Sequence, residues 1–97
     1  FRPLAQFPGS HRDLALLVDA SVSAAQLESI IRRNNLVRDV TVFDVYSGKG
    51  VAQGKRSIGL RIHFQSSRQT LTSEAVNKAQ ERVLSDLERE TGAQIRG

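Results

Sequence analysis

The amino-acid sequence predicts an α+β domain in which a four-stranded antiparallel sheet carries two helices on one face. Apolar and polar residues alternate over residues 55–66, which is typical of a strand with one buried face. Two further segments, residues 23–35 and 72–91, carry apolar residues at helical spacing behind a residue that favours a helix start. The length of 97 residues suits one domain with one hydrophobic core.

The first strand is predicted at residues 12–19, where a short and nearly continuous apolar run is typical of a buried strand. The preceding residues 1–11 contain both prolines and show no periodicity. We therefore expect a lead-in linker over residues 1–11 and a folded domain over residues 12–97.

The first helix and the second strand follow in order. Ser23 and Gln26 have the spacing of a capping box, which predicts the start of the helix. Its end is expected near Asn34 and Asn35, because asparagine tolerates left-handed backbone. Residues 40–46 are rich in β-branched and aromatic side chains, so they predict the second strand.

The second half of the chain predicts a loop, a strand, a helix and a last strand. Residues 47–54 contain three glycines and form the loop before the alternating strand at residues 55–66. Thr72 is the expected N-cap of the second helix, and Gly92 is the expected residue at its end. Residues 93–96 then predict a short edge strand. The resulting order, βαββαβ, is the split pattern of ferredoxin-like folds, which leaves one face of the sheet open.

Strand alternation predicts which side chains lie under the helices and which lie on the open face. The side chains predicted to lie under the helices are apolar: Leu14, Leu16, Val18, Phe43, Val45, Ile58, Leu60, Ile62 and Phe64. Those predicted to face outward are mostly small or polar: Ala15, Leu17, Asp44, Tyr46, Ser57, Gly59, Arg61 and His63. The predicted open face is therefore flat and polar, with one aromatic ring.

Such a face has the chemistry to hold an unstacked nucleobase. Tyr46 offers a ring on which a base can stack. Asp44, two residues away, could accept hydrogen bonds from the ring N–H and the exocyclic amine of guanine, a donor pair that uracil and cytosine do not present. Ala15, Ser57 and Gly59 are small enough to let a base approach the backbone, and Ser57 could add a hydrogen bond.

A purely structural interpretation stays open at this point. The exposed face of an antiparallel sheet is expected to be polar in any case. Asp44 could simply pair with Arg61 or Lys55 on a neighbouring strand, and Tyr46 could cover the sheet edge.

Composition and charge bear on the kind of partner, on disulfide and metal sites, and on membrane insertion. The formal net charge is +4 and the sequence pI is about 10.3, which favours polyanionic partners. Cysteine is absent, so disulfides and thiolate metal sites are excluded. Methionine is also absent, even at position 1, so we expect a fragment of a longer chain. No apolar run suits a membrane span or a signal peptide.

The sequence offers no catalytic or metal constellation. His11 and His63 have no His, Asp or Glu at ligand spacing, so we predict no metal site. The glycines of residues 47–54 precede a strand and lack the phosphate-loop pattern, although Lys49, Lys55 and Arg56 could contact phosphates. No strained nucleophile turn is present, so we predict no catalytic residue.

Four sequence blocks, taken together, resemble a known family. They are Phe7-Pro8 with RDLALLV at residues 12–18, FDVYSG at residues 43–48, GKRSI at residues 54–58, and TLTSEAV at residues 70–76. Their order, together with the βαββαβ pattern, is similar to the ferredoxin-fold anticodon-binding domain. Members of that family form the C-terminal module of the bacterial phenylalanyl-tRNA synthetase beta subunit.

The resemblance implies a function and a set of contacts. Such domains recognise the anticodon of tRNA(Phe), and the family contacts correspond here to Ala15, Asp44, Tyr46 and Ser57. The implied parent enzyme is a cytoplasmic α2β2 tetramer that joins phenylalanine to tRNA with ATP and magnesium, with catalysis in the alpha subunit. The domain itself is expected to need no cofactor, to lack aminoacylation activity and to bind no membrane.

Two alternatives on the same fold remain. A small regulatory domain would bind an amino acid or another metabolite in a pocket between subunits. An acylphosphatase-like hydrolase would need an anion-binding loop after the lead-in, and residues 8–12 do not have that motif.

Overall fold

The computed structural model describes residues 9–66, 68 and 70–95. The elements are β1 (Ser10–Asp19), α1 (Ala24–Ile31), β2 (Val37–Tyr46), β3 (Lys55–Phe64), α2 (Ser73–Thr91) and β4 (Gln94–Ile95). The predicted βαββαβ order is confirmed. The four strands form one sheet in the order β2-β3-β1-β4, and every neighbouring pair is antiparallel. This is the ferredoxin-like α+β class that the sequence predicts.

Several element boundaries differ from the sequence prediction: β2 begins at Val37 instead of residue 40, and β3 ends at Phe64 instead of residue 66. β1 begins at Ser10, so the last two residues of the predicted lead-in belong to the sheet, while residues 1–8 lie outside the described part of the chain. α1 ends at Ile31, earlier than the end expected near Asn34 and Asn35. Among the described residues other than glycine, none has a positive φ. The Asn34 side chain instead accepts a hydrogen bond from the Leu36 N–H at 3.0 Å, which closes the turn.

Both helix starts and the end of α2 follow the predicted capping pattern. The hydroxyl of Ser23 accepts a hydrogen bond from the Gln26 N–H, and that of Thr72 accepts one from the Ala75 N–H, each at 3.1 Å. Caps of this kind contribute about 1 kcal/mol each to helix stability. Gly92 ends α2 with φ of 73°, a left-handed conformation that glycine adopts without steric cost.

The core lies between the helices and one face of the sheet. The predicted inward side chains of β1 and β3 are all buried: Leu14, Leu16, Val18, Ile58, Leu60, Ile62 and Phe64. α2 contributes the apolar stripe Val76, Ala79, Val83 and Leu87, and α1 contributes Leu27, Ile30 and Ile31. Burial of each large aliphatic side chain contributes roughly 1.5–3 kcal/mol. The opposite face of the sheet is left to the outward side chains of β1, β2 and β3.

β2 does not follow the simple alternation that the sequence predicts. The register shifts at a β-bulge, because Val42 lies opposite Leu60 whereas Asp44 already lies opposite Gly59. Phe43 is the additional residue, and the bulge turns it to the open face, where 56% of it is exposed. The prediction that Phe43 lies under the helices is therefore wrong.

Val45 is the second correction in β2. It lies opposite Ile58 and so points to the helix side of the sheet, as alternation predicts. It is nevertheless 51% exposed rather than buried. β2 is an edge strand, and the helices do not cover its last residues.

No helix within the described ranges has the length and apolar character needed to cross a membrane.

Candidate nucleic-acid interface

The sheet register brings Ala15 and Asp44 into one row on the open face. Gly59, at the centre of this row, pairs with Ala15 on β1 and with Asp44 on β2. The neighbours of Gly59 along β3, Ile58 and Leu60, are fully buried in the core, so the row itself faces away from the helices. Because Gly59 has no side chain, neighbouring side chains can approach the backbone of β3 closely at this point, and Gly59 itself is buried.

The next row contains the other two candidate residues, Tyr46 and Ser57. Ser57 pairs with Tyr46 on β2 and with Leu17 on β1. Only 5% of Ser57 is exposed, because these larger neighbours cover it. Contact between the Ser57 hydroxyl and RNA stays a prediction.

Tyr46 is exposed on this face and its ring is held in place. Its exposed fraction is 41%, and its hydroxyl donates a hydrogen bond to the carbonyl of Lys49 in the β2–β3 loop. That loop turns through glycines with positive φ, including Gly48 at 112° and Gly54 at 82°. A fixed ring loses little conformational entropy when a base stacks on it.

The Asp44 carboxylate is exposed and, among the described residues, makes no ion pair or side-chain hydrogen bond. The pairing with Arg61 or Lys55 that the sequence left open does not occur. Arg61 instead donates two hydrogen bonds to Asp13, Nε to Oδ1 at 2.8 Å and Nη2 to Oδ2 at 3.1 Å. These bonds lower the pKa of Asp13 and raise that of Arg61. Asp44 therefore keeps both oxygens available as acceptors.

Phe43 is a candidate residue that sequence reasoning missed. Its ring lies against Gly59, because a Cβ atom built on Gly59 would be only 3.1 Å from Phe43 Cε1 and 3.2 Å from Cζ. The guanidinium carbon of Arg61 lies 6.0 Å from the centre of the same ring. The available signal was Gly59 itself, since glycine inside a strand often marks a bulge or a close approach.

Two histidines stack at the far end of the open face. The rings of His11 and His63 are 4.4 Å apart and inclined by 12°, and Asp39 lies opposite His63 on β2. Burial lowers the pKa of His63, and the charges of His11 and Arg38 lower it further, while Asp39 opposes them. No group of three or more potential metal ligands was found within the described ranges.

Arg56, one of three basic residues that the sequence suggested for phosphate contact, has a structural role instead. It lies opposite Val18, on the helix side of the sheet, and its guanidinium donates a hydrogen bond to the carbonyl of Val22. It thereby ties the β1–α1 connection to β3. Lys49 lies at the exposed loop beside Tyr46, where a phosphate could approach it.

Comparison with known proteins places the chain in a family. The sequence model described as the ferredoxin-fold anticodon binding domain matches residues 5–96. The chain is 40% identical, over its whole length, to the phenylalanine–tRNA ligase beta subunit of Halalkalibacterium halodurans. It is 39% identical over its whole length to that of Bacillus subtilis, and 44% identical over 98% of its length to that of Chromobacterium violaceum.

The chain spans 12% of the length of each of these three relatives. The matches favour anticodon binding over the alternative of a metabolite-binding regulatory domain. The match extends over all of the described residues and agrees with the observed ferredoxin-like sheet. The chain therefore belongs to the ferredoxin-fold anticodon binding domain family.

Proposed function

We propose that this domain reads the anticodon of tRNA(Phe) with the open face of its sheet. The observation that carries the proposal is the placement of Asp44 and Tyr46. Both are exposed on the open face, the tyrosine ring is fixed by its hydroxyl, and the carboxylate makes no ion pair among the described residues. A stacking ring beside unoccupied acceptors is the arrangement that holds a splayed base of a single-stranded RNA loop.

In the proposed complex, one anticodon base stacks on Tyr46 and presents its Watson–Crick edge to Asp44. Guanine satisfies the carboxylate with its ring N–H and its exocyclic amine, whereas adenine would place an acceptor against it. The small Ala15 leaves space for the base in the same row as Asp44, whereas the Phe43 ring covers Gly59. A hydrogen bond from Ser57, which is 5% exposed, would require the neighbouring Tyr46 and Leu17 side chains to move aside when the base binds.

We further propose that the domain serves a phenylalanine–tRNA ligase as part of its beta subunit. The names and the extent of the related chains support this assignment. The whole enzyme would be a cytoplasmic α2β2 assembly that joins phenylalanine to tRNA with ATP and magnesium. Catalysis would take place in the alpha subunit, so the domain contributes recognition and no catalytic residue. Tethering to the other tRNA contacts of the enzyme would raise a modest affinity of the domain.

The proposal is tested by binding of the domain to the anticodon stem–loop of tRNA(Phe). Tyr46→Ala should weaken binding by about 1–3 kcal/mol, the usual contribution of one stacked base. Tyr46→Phe keeps the ring and loses only the hydrogen bond to Lys49, so it should retain most of the affinity. Unaltered affinity in Tyr46→Ala would contradict the stacking role. Equal binding of a scrambled hairpin by the wild type would contradict the function itself.

A further inference from the structure

Phe43 is an exposed aromatic residue that the proposed contacts of Asp44 and Tyr46 do not use. The β-bulge turns its ring out of the hydrophobic core and onto the open face, with 56% of it exposed. β-bulges often occur where a side chain is redirected toward a functional site. Here the redirected Phe43 side chain lies beside Asp44. A Cβ atom built on Gly59 would be close both to the Phe43 ring and to Asp44 Cβ, at 3.1 and 3.3 Å.

The Phe43 ring is held in place by its neighbours. One edge contacts the side-chain-free backbone of Gly59, where a built Cβ would be 3.1 and 3.2 Å from two ring carbons. Arg61 lies 6.0 Å from the ring centre, and its guanidinium is itself fixed by two hydrogen bonds to Asp13. The remaining ring surface is open to solvent, so it offers a prepared stacking surface.

We propose that Phe43 is a second stacking platform, which takes the nucleotide next to the one held by Tyr46 and Asp44. This inference rests on the anticodon-reading function proposed above. The Phe43 ring lies above Gly59, whereas Tyr46 pairs with Ser57, two residue steps away on β3, which corresponds to about 7 Å along an extended strand. Side chains this far apart along the sheet suit two neighbouring nucleotides, so each ring takes a nucleotide of its own.

The polar groups around Phe43 favour RNA as the occupant of this surface. The Arg61 guanidinium, which is paired with Asp13, lies beside the ring and adds a planar group on which a base can also stack. The sheet face is continuous from Phe43 through Asp44 to Tyr46, so a single-stranded loop bound at one end would pass over the other. The net charge of +4 of the whole chain also favours a polyanionic partner. An apolar protein partner would instead bury the Asp44 carboxylate without offering it a hydrogen bond.

The test uses the domain, the anticodon stem–loop of tRNA(Phe) and variants of Phe43. Phe43→Leu keeps an apolar side chain but removes the ring, and it should lower the affinity by about 5- to 100-fold. Phe43→Tyr keeps the ring and should bind as the wild type does. Val45→Thr is the matched control on the same strand, because Val45 is 51% exposed but points to the helix side. It should leave affinity unchanged.

An abasic scan of the loop then identifies the base that each ring holds. When the base held by Phe43 is missing from the RNA, Phe43→Leu should no longer lower the affinity. Tyr46→Ala should lose its effect on affinity with a different abasic RNA. A merely structural role for Phe43 would give the same loss on every RNA. That result would overturn the proposal, as would both losses vanishing on the same abasic RNA.

The outcomes also separate this inference from the proposed function. If Phe43→Leu binds the stem–loop normally while Tyr46→Ala does not, Phe43 is not a platform and anticodon reading stands. If Phe43→Leu binds RNA normally but no longer associates with the remainder of the ligase, the surface belongs to a protein interface and the proposal is overturned. If the wild type does not distinguish the stem–loop from a scrambled hairpin, both proposals fail.

Discussion

Arg61 directs its guanidinium to Asp13, which it faces across β1 and β3, through hydrogen bonds of 2.8 and 3.1 Å. Both residues lie on the open face, and the pair leaves the nearby Asp44 carboxylate without a cation among the described residues. The ion pair thereby keeps an acceptor free for a base. Its exposed position makes the direct contribution to folding small, because solvent screens exposed charges.

The free carboxylate of Asp44 leads to a prediction about base selectivity. The wild type should prefer a guanine-containing loop over one in which inosine replaces the guanine, since inosine lacks the exocyclic amine. In Asp44→Ala this preference should fall by about 1.5–3 kcal/mol, the usual contribution of one hydrogen bond to a charged group. The affinities of the wild type and of Asp44→Ala for the guanine-containing and the inosine-containing loop measure this preference. Equal affinity of the wild type for both would refute the role of Asp44.

Gly59→Ala should weaken RNA binding with little effect on stability. The new Cβ would lie 3.1 Å from the Phe43 ring and 3.3 Å from Asp44 Cβ, so both side chains must shift by a few tenths of an ångström. Since more than half of the Phe43 side chain borders solvent, the small shift costs little, and the free energy of unfolding in urea should change by less than about 1 kcal/mol. The affinity loss should shrink in a Phe43→Leu background, because one of the two crowded neighbours is then altered. A large loss of stability would contradict the prediction.

Leu87→Ala should destabilise the domain by about 2–5 kcal/mol, because it leaves a cavity in the core. Leu87 is fully buried on α2 against the sheet. Val45→Thr is the control, since it alters a half-exposed side chain and should change the free energy of unfolding by less than about 0.5 kcal/mol. Urea denaturation measures the change in the free energy of unfolding for Leu87→Ala and for Val45→Thr. Similar losses in the two would show that the assignment of the core is wrong.

The lowered pKa of His63 predicts a pH dependence of stability. As the pH falls below the ordinary value of 6.5, the unfolded chain takes up a proton that the folded His63 resists. The free energy of unfolding should therefore decrease with falling pH, and this loss should level off below the folded-state pKa.

His63→Gln should remove that part of the pH dependence. Asp13 and Asp39 also have lowered pKa values, but their contribution to stability is lost only as the pH falls below about 4. Denaturation at a series of pH values between about 5 and 7 therefore separates the contribution of His63 to stability from that of these carboxylates. If the free energy of unfolding changed with pH equally in the wild type and in His63→Gln, His63 would not be the source of the pH dependence.

Much of the fold was predictable because it depends on short-range patterns. The alternation of β3 predicts that Ile58 and Leu60 share the buried face, and this prediction needs only the residues of the strand itself. The caps at Ser23, Thr72 and Gly92 are likewise local, since each depends on a hydrogen bond or a backbone angle within a few residues.

The candidate site was predictable only in part. Alternation puts Asp44 and Tyr46 on the same face, and that prediction holds because the bulge precedes both of them. Phe43 was assigned to the wrong face, because alternation assumes one partner for every residue across the strands. Ser57 was expected on the same face as Tyr46, but its pairing with Tyr46 and Leu17, and its burial between them, depend on the register of three strands.

The sequence by itself determined the order of the elements, their caps and the core positions of β1 and β3. Only the tertiary structure decided that Phe43 faces outward and that Arg61 pairs with Asp13 instead of Asp44. The physical reason is that periodicity and capping act between residues close in the chain. The register of β2 against β3, and the choice of ion-pair partner, depend instead on residues brought together by folding.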